Sequence, residues 1–192
     1  MEKNSLNRHF KTIVIGGSAG SLEVLFRLLP KLRADLKIAV IIVLHRRNSG
    51  DSSLSELLST KSSIPTQEVE DKDPILPGNI YLAPSDYHLL TEKNFTFSLD
   101  YSEKINFSRP SLDVTFESAA DVYGPSLIGI ILSGANEDGT KGLLTIKNNG
   151  GIIIAQEPKT AQMPLMPQYA IDHTAIDYIF GIDEMADFIN GL

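Results

Sequence analysis

The chain has 192 residues, a formal charge of −7, and 42% apolar against 21% charged residues. That length and apolar fraction suit one large folded core and exclude a disordered chain. The acidic balance argues against a nucleic-acid binder, which needs a basic stripe for phosphates. With no cysteine present, disulfides, thiolate metal sites and cysteine nucleophiles are excluded together.

The start, Met1-Glu2-Lys3-Asn4-Ser5, lacks the apolar region of a secretory signal. The longest apolar runs, 38–44 and 127–132, fall far short of the roughly 20 residues that span a bilayer. A cytoplasmic location without membrane insertion is the expectation.

Residues 12–17 are a β-branched, apolar run ending in two glycines, which predicts a strand. Leu22, Leu25, Phe26 and Leu29 then recur on one helical face, with Pro30 near the helix end. Residues 37–44 form a continuous apolar run, the type expected of a strand buried on both faces of a parallel sheet. Leu54, Leu57 and Leu58 give 52–60 helical spacing. This alternation calls for a parallel α/β sheet with right-handed crossovers. The middle differs: 65–69, 79–83, 88–91 and 95–99 read as short strands, with Glu92-Lys93-Asn94 as a tight antiparallel connection. Alternation resumes with helix 112–123, strand 127–133, helix 142–147 and strand 152–155. A Pro-rich loop leads into a helix around 168–171, and strand 178–180 and helix 183–189 close the chain. No linker divides two domains, so one domain over 1–192 is expected.

Three segments carry chemistry. Gly16-x-Ser18-x-Gly20 lies between the first strand and its helix, the pattern of a nucleophilic serine on a sharp turn. The helix start offers free N–H groups near a developing oxyanion. Glycine-rich turns of this kind also cradle nucleotides, so a non-catalytic nucleotide- or anion-binding module remains the alternative on this segment alone.

His45 directly follows the second buried strand, whereas His9 precedes all predicted structure, His88 sits in a hairpin strand and His173 in a loop. Ligands of open parallel sheets bind at the carboxyl edge, and neighbouring strands lie about 4.8 Å apart. A histidine at that edge beside Ser18 is a candidate general base. The strand ending near Ser133 delivers Asp138 to the same edge, where it reads either as a helix N-cap or as the third member of a triad. Glu137 is the alternative carboxylate, one position earlier on a longer side chain. Using His173 instead gives the Ser, Asp, His order of α/β-hydrolases, but in that fold the nucleophile does not normally follow the first strand.

With these segments goes a set of motifs: Ile15-Gly16-Gly17-Ser18-Ala19-Gly20, Val43-Leu44-His45, Pro77-Gly78-Asn79-Ile80-Tyr81-Leu82-Ala83-Pro84 and Ser108-Arg109-Pro110-Ser111-Leu112-Asp113. Leu132-Ser133-Gly134-x-x-x-Asp138-Gly139 and Met166-Pro167 complete it. In this order they resemble the catalytic domain of chemotaxis protein-glutamate methylesterases of the CheB type, over nearly the whole chain. The resemblance implies a doubly wound, mainly parallel sheet with helices on both faces and an antiparallel hairpin at one edge. It implies a Ser18, His45, Asp138 triad, favouring His45 over His173, and an oxyanion hole from the backbone N–H groups of Ala19 and Ala135.

The activity so implied is hydrolysis of glutamyl γ-methyl esters on chemoreceptor helices, with glutamine deamidation by the same route, and neither metal nor cofactor. An esterase acting on another protein or on a small-molecule ester keeps the triad and changes only the substrate. Arg109 is the candidate to bind carboxylates beside the target, with Arg46 and Arg47 as weaker candidates. Ser21 and Asn136 stand where relatives usually carry glycine, and Arg46-Arg47 where chemotaxis relatives often carry Met-Pro. A receiver domain usually precedes this catalytic domain. Here about ten residues precede the first strand, so a stand-alone form is expected, with a separate response regulator as a candidate partner.

Overall fold

A computed structural model describes residues 11–46 and 53–192; His9 and Arg47 lie outside the described residues. The chain enters on β1 (Thr12–Gly17), turns into α1 (Ser21–Leu28) and returns on β2 (Ala39–Leu44). After α2 (Ser53–Ser59) come the short β3 (Thr66–Glu68) and β4 (Ile80–Leu82), then β5 (His88–Thr91) and β6 (Phe97–Asp100). The second half runs α3 (Leu112–Tyr123), β7 (Leu127–Ile131), α4 (Thr140–Asn148), β8 (Ile152–Gln156), α5 (Leu165–His173), β9 (Tyr178–Phe180) and α6 (Ile182–Asn190).

Seven strands form one sheet in the order β3-β4-β2-β1-β7-β8-β9, with every pair parallel. The apolar runs of β1, β2, β7 and β8 are buried along their length, because helices cover both faces. Side chains alternate between the faces. Ile13, Ile15, Val40 and Ile42 pack with Leu25 and Leu28 of α1 and Met185 of α6. Val14, Ile41 and Val43 pack with Phe116 of α3, Leu143 of α4 and Met166 of α5. Each such burial contributes about 1.5–3 kcal/mol. The chain steps from β1 through β2 to β4 and β3 on one side, then crosses to β7, β8 and β9 on the other. The loops after β1, β2 and β7 therefore meet where strand order reverses, the usual ligand crevice of such sheets.

Two local expectations change. The β5–β6 hairpin pairs from His88↔Asp100 to Thr91↔Phe97 and forms a sheet of its own rather than an edge of the large one. Its Leu89 and Phe97 join the α3 side of the core, and Thr115 of α3 donates to Leu89 O at 2.8 Å. The helix expected around 168–171 runs from Leu165 to His173, so His173 ends a helix instead of lying in a loop. Pro164 at its N-cap and Pro167 in its first turn occupy positions where a helix has no use for an N–H, so neither breaks it.

α3 and α4 approach closely at Gly142, where an added Cβ would lie 2.4 Å from Cβ of Phe116. Among the described residues no helix is long and apolar enough to cross a membrane.

Candidate active site

Register alone makes Ser18 and His45 neighbours. Gly17 pairs with Leu44 across β1 and β2, so the next residue on each strand is Ser18 and His45. The ladder continues past the strand ends: His45 N–H donates to Gly17 O at 3.1 Å, and Ser18 N–H to Ser133 O at 2.9 Å. Gly20, at φ +82°, makes the turn into α1 in the left-handed region that favours glycine. Ser21 closes that turn, its backbone N–H and its hydroxyl both donating to Ser18 O. Ser133 pins the turn from the other side, its buried hydroxyl donating to Ala19 O at 2.7 Å.

The His45 ring is paired through Nε2, which lies 2.7 Å from Asp138 Oδ2. Asp138 is completely buried. Its Oδ2 also accepts from Leu112 N–H at 2.7 Å, and its Oδ1 accepts from Ser111 Oγ (3.0 Å), Asn106 Nδ2 (3.2 Å) and Asp113 N–H (3.3 Å). Burial works to raise the pKa of this carboxyl, but the His45 and Leu112 hydrogen bonds outweigh it and hold it down at about 2. The N-terminus of α3 adds its partial positive charge. Asp138 therefore does cap a helix, but α3 rather than the α4 that follows it. An ionised Asp138 can only accept from Nε2–H, so the tautomer that fits this contact carries its lone pair on Nδ1. Asn136 Nδ2 lies 3.3 Å from that nitrogen.

The capping is reciprocal. Asp113, in the first turn of α3, accepts at Oδ1 from Gly142 N–H at the start of α4, at 2.8 Å. Burial pushes its pKa up to about 6, the Gly142 hydrogen bond resisting and the nearby Asp138 charge reinforcing the rise. Asn106 Nδ2 reaches both carboxylates, 3.3 Å from Asp113 Oδ2 and 3.2 Å from Asp138 Oδ1.

A cleft of about 460 Å³ opens beside His45, with Arg46, Asp86, Lys104, Phe107 and Arg109 among its walls. Arg109 stands in it with its donors engaged: Nη2 and Nε on Asp86 Oδ1 (2.9 and 3.3 Å), and Nη1 on Ser102 O (2.7 Å) and Tyr101 O (3.0 Å). Its guanidinium also stacks on the Tyr101 ring at 3.7 Å. Arg46 is held by Glu68 and by Ala83 O. Phe107, by contrast, is 99% exposed.

The remaining candidates separate cleanly. His88 is buried between Ser111 N–H (3.1 Å) and Glu103 O (3.0 Å) and braces the start of α3. His173 stacks on Tyr169, and Nδ1 bonds Tyr169 O at 2.9 Å. Glu137 is exposed and faces Tyr169, whose pKa its charge raises. Among the described residues, the N–H groups of Ala19 and Ala135 donate to no protein acceptor, and Ser18 Oγ makes no hydrogen bond. Both alanines are exposed, while Ser18 is half-buried.

Comparison with known proteins fixes the family. The family model described as CheB methylesterase matches residues 13–189. The chain belongs to the CheB methylesterase family. A Leptospira interrogans protein assigned to the protein-glutamate methylesterase/protein-glutamine glutaminases is 44% identical over 179 residues, covering 93% of each chain. The Thermotoga maritima protein-glutamate methylesterase/protein-glutamine glutaminase is 36% identical over 172 residues, 88% of this chain and 50% of that one. The chain thus spans about half of that longer relative. The crystal structure of the Thermotoga maritima CheB methylesterase catalytic domain superposes with a TM-score of 0.90 at 33% identity, covering 94% of this chain and 97% of that one. The fold of this chain is that of a CheB catalytic domain.

Sequence reasoning missed Asn106, Ser111 and Asp113 as partners of the site. Ser111 and Asp113 lie in the Ser108-Arg109-Pro110-Ser111-Leu112-Asp113 motif, and their place at a helix start next to the triad segments was the available signal. Asn106 offered none, since its two contacts bridge residues far apart in the chain.

Proposed function

We propose that the chain hydrolyses glutamyl γ-methyl esters of chemoreceptor proteins through an acyl-enzyme on Ser18, with His45 as base and Asp138 as its partner. The observation that supports this is the His45–Asp138 hydrogen bond of 2.7 Å, set by strand register beside Ser18. Asp138 accepts a hydrogen bond from Nε2–H, so the basic nitrogen is Nδ1. Ser18 Oγ attacks the ester carbonyl as its proton passes to Nδ1. The N–H groups of Ala19 and Ala135 receive the oxyanion. Collapse expels methanol, protonated from Nδ1, and leaves the glutamyl-serine ester. Water, deprotonated by Nδ1, then attacks that ester, and Ser18 leaves with the proton. Glutamine follows the same route with ammonia as leaving group, the second activity in the relatives' names.

Cytoplasmic receptor helices are the proposed substrate surface, which places the chain in the cytoplasm; a response regulator is the proposed partner in control, and residues 1–192 the working catalytic domain. Arg109 enters substrate binding through the cleft wall that it ties together, with four of its five N–H donors on Asp86, Tyr101 and Ser102.

Methanol release from methylated receptor, set against release from a small methyl ester, tests the substrate. A fluorophosphonate should label Ser18, and Ser18→Ala should abolish both labelling and turnover with circular dichroism unchanged. Substantial turnover by the folded variant would rule out covalent catalysis at Ser18.

A further inference from the structure

The nitrogen that this mechanism needs already has a donor. Asn136 Nδ2 lies 3.3 Å from His45 Nδ1, and a second contact fixes which end of the amide faces the ring. Asp138 N–H donates to Asn136 Oδ1 at 3.3 Å, which turns the NH2 toward the imidazole. An amide NH2 can only donate, so it meets Nδ1 as an acceptor, in keeping with Nε2–H on Asp138. Nδ1 has one lone pair and cannot serve the amide and the Ser18 hydroxyl together. Ser18 Oγ, for its part, makes no hydrogen bond among the described residues.

We propose that Asn136 is a latch on the general base: a positioning residue that keeps Nδ1 of His45 unprotonated but competes with Ser18 for its lone pair until an ester enters. The proposal rests on the Ser18–His45 reading above. Geometry links the latch to substrate arrival, because Asn136 is the residue after Ala135, whose N–H is assigned to the oxyanion. A carbonyl docking on Ala135 and an amide swinging off His45 are events of one short loop, between β7 and α4. The resting enzyme thus keeps its base capped, and esters that do not engage the loop meet a less reactive serine.

Asn136→Ala removes the donor and keeps a Cβ in the loop. Labelling of Ser18 by a fluorophosphonate at neutral pH reads the nucleophile without the receptor. The labelling rate should rise about fivefold, the scale of one neutral hydrogen bond. An unchanged or lower rate in the folded variant overturns the latch. Asn136→Asp replaces the donor with an acceptor, which favours a proton on Nδ1. Labelling should then fall about tenfold or more, and a wild-type rate overturns the proposal. The ring itself gives a readout that a merely structural asparagine would not move. In 15N spectra the Nδ1 resonance of His45 should shift toward that of a nitrogen without a donor in Asn136→Ala, with Nε2 still protonated. Identical Nδ1 resonances in both proteins overturn the contact. Absence of labelling in wild type and variants alike sinks the Ser18 assignment and the latch with it, whereas labelling that is equal in wild type and Asn136→Ala sinks the latch only.

Discussion

The N-termini of α3 and α4 are built alike and end up opposite. Each is capped by a buried aspartate from beside the other helix: Asp138 on Leu112 N–H, Asp113 on Gly142 N–H. Yet Asp138 is held down at about 2 while Asp113 is pushed up to about 6. Burial pushes both carboxyls the same way, so burial does not decide the outcome. The difference lies in what surrounds each group. Asp138 has the His45 ring, the Ser111 hydroxyl and two N–H groups of α3, whereas Asp113 has Gly142, half of Asn106 and a negative neighbour. Of two acids sharing one small interior, the one facing the imidazole is the first to ionise.

The largest expected effect comes from the α3 cap. Asp138→Asn preserves shape but removes the acceptor that sets the tautomer, and turnover should fall by about a thousandfold or more with the far-ultraviolet spectrum unchanged. A loss below tenfold in methanol release would mean that the ring does not depend on this carboxylate. Next is the residue that joins the two acids. Asn106→Ala strips a donor from both, and turnover should drop about tenfold, the scale of a hydrogen bond to a charged group. If only the urea midpoint moves, Asn106 serves the Asp113 half alone.

Asp113→Asn should change turnover least, by about twofold or less, because the Asn oxygen still accepts from Gly142 N–H. Its signature lies in stability against pH. The folded pKa of Asp113, about 6, stands above the ordinary 3.8, so between those values the folded chain holds more protons than the unfolded one. The contribution of this group to stability therefore falls as pH rises through that window and is level above it. Asp138 runs the other way: its contribution is present above 3.8 and is lost as pH falls toward about 2. Urea midpoints should show the variant gaining on wild type as pH rises from about 4 to about 6 and holding that lead above. Parallel curves would mean that folding leaves the pKa of Asp113 unchanged.

Much of this frame was legible in the sequence, for a physical reason. Strands buried on both faces must be apolar without interruption, so 12–17, 37–44 and 127–133 announced the central sheet, and the turns at their carboxyl ends held Ser18, His45 and Asp138. What stayed hidden depends on contacts that no periodicity encodes. That Asp138 caps α3 and not α4 is a matter of which helix start lies opposite the crevice. Arg109 is tied to Asp86, 23 positions away, and to the carbonyls of Tyr101 and Ser102, contacts that no sequence pattern announces. The β5–β6 hairpin read correctly as a hairpin but not as a sheet of its own, because its partner surface is α3. Pro164 and Pro167 suggested loop, although a first helical turn tolerates both.

Gly142 couples two properties that are usually discussed apart. The seam it allows between α3 and α4 sets the spacing of both helix starts, and the start of α3 holds the acid on which the imidazole depends. Sequence changes along that seam, remote from the cleft and touching no ligand, therefore retune reactivity by altering how tightly two cylinders nest.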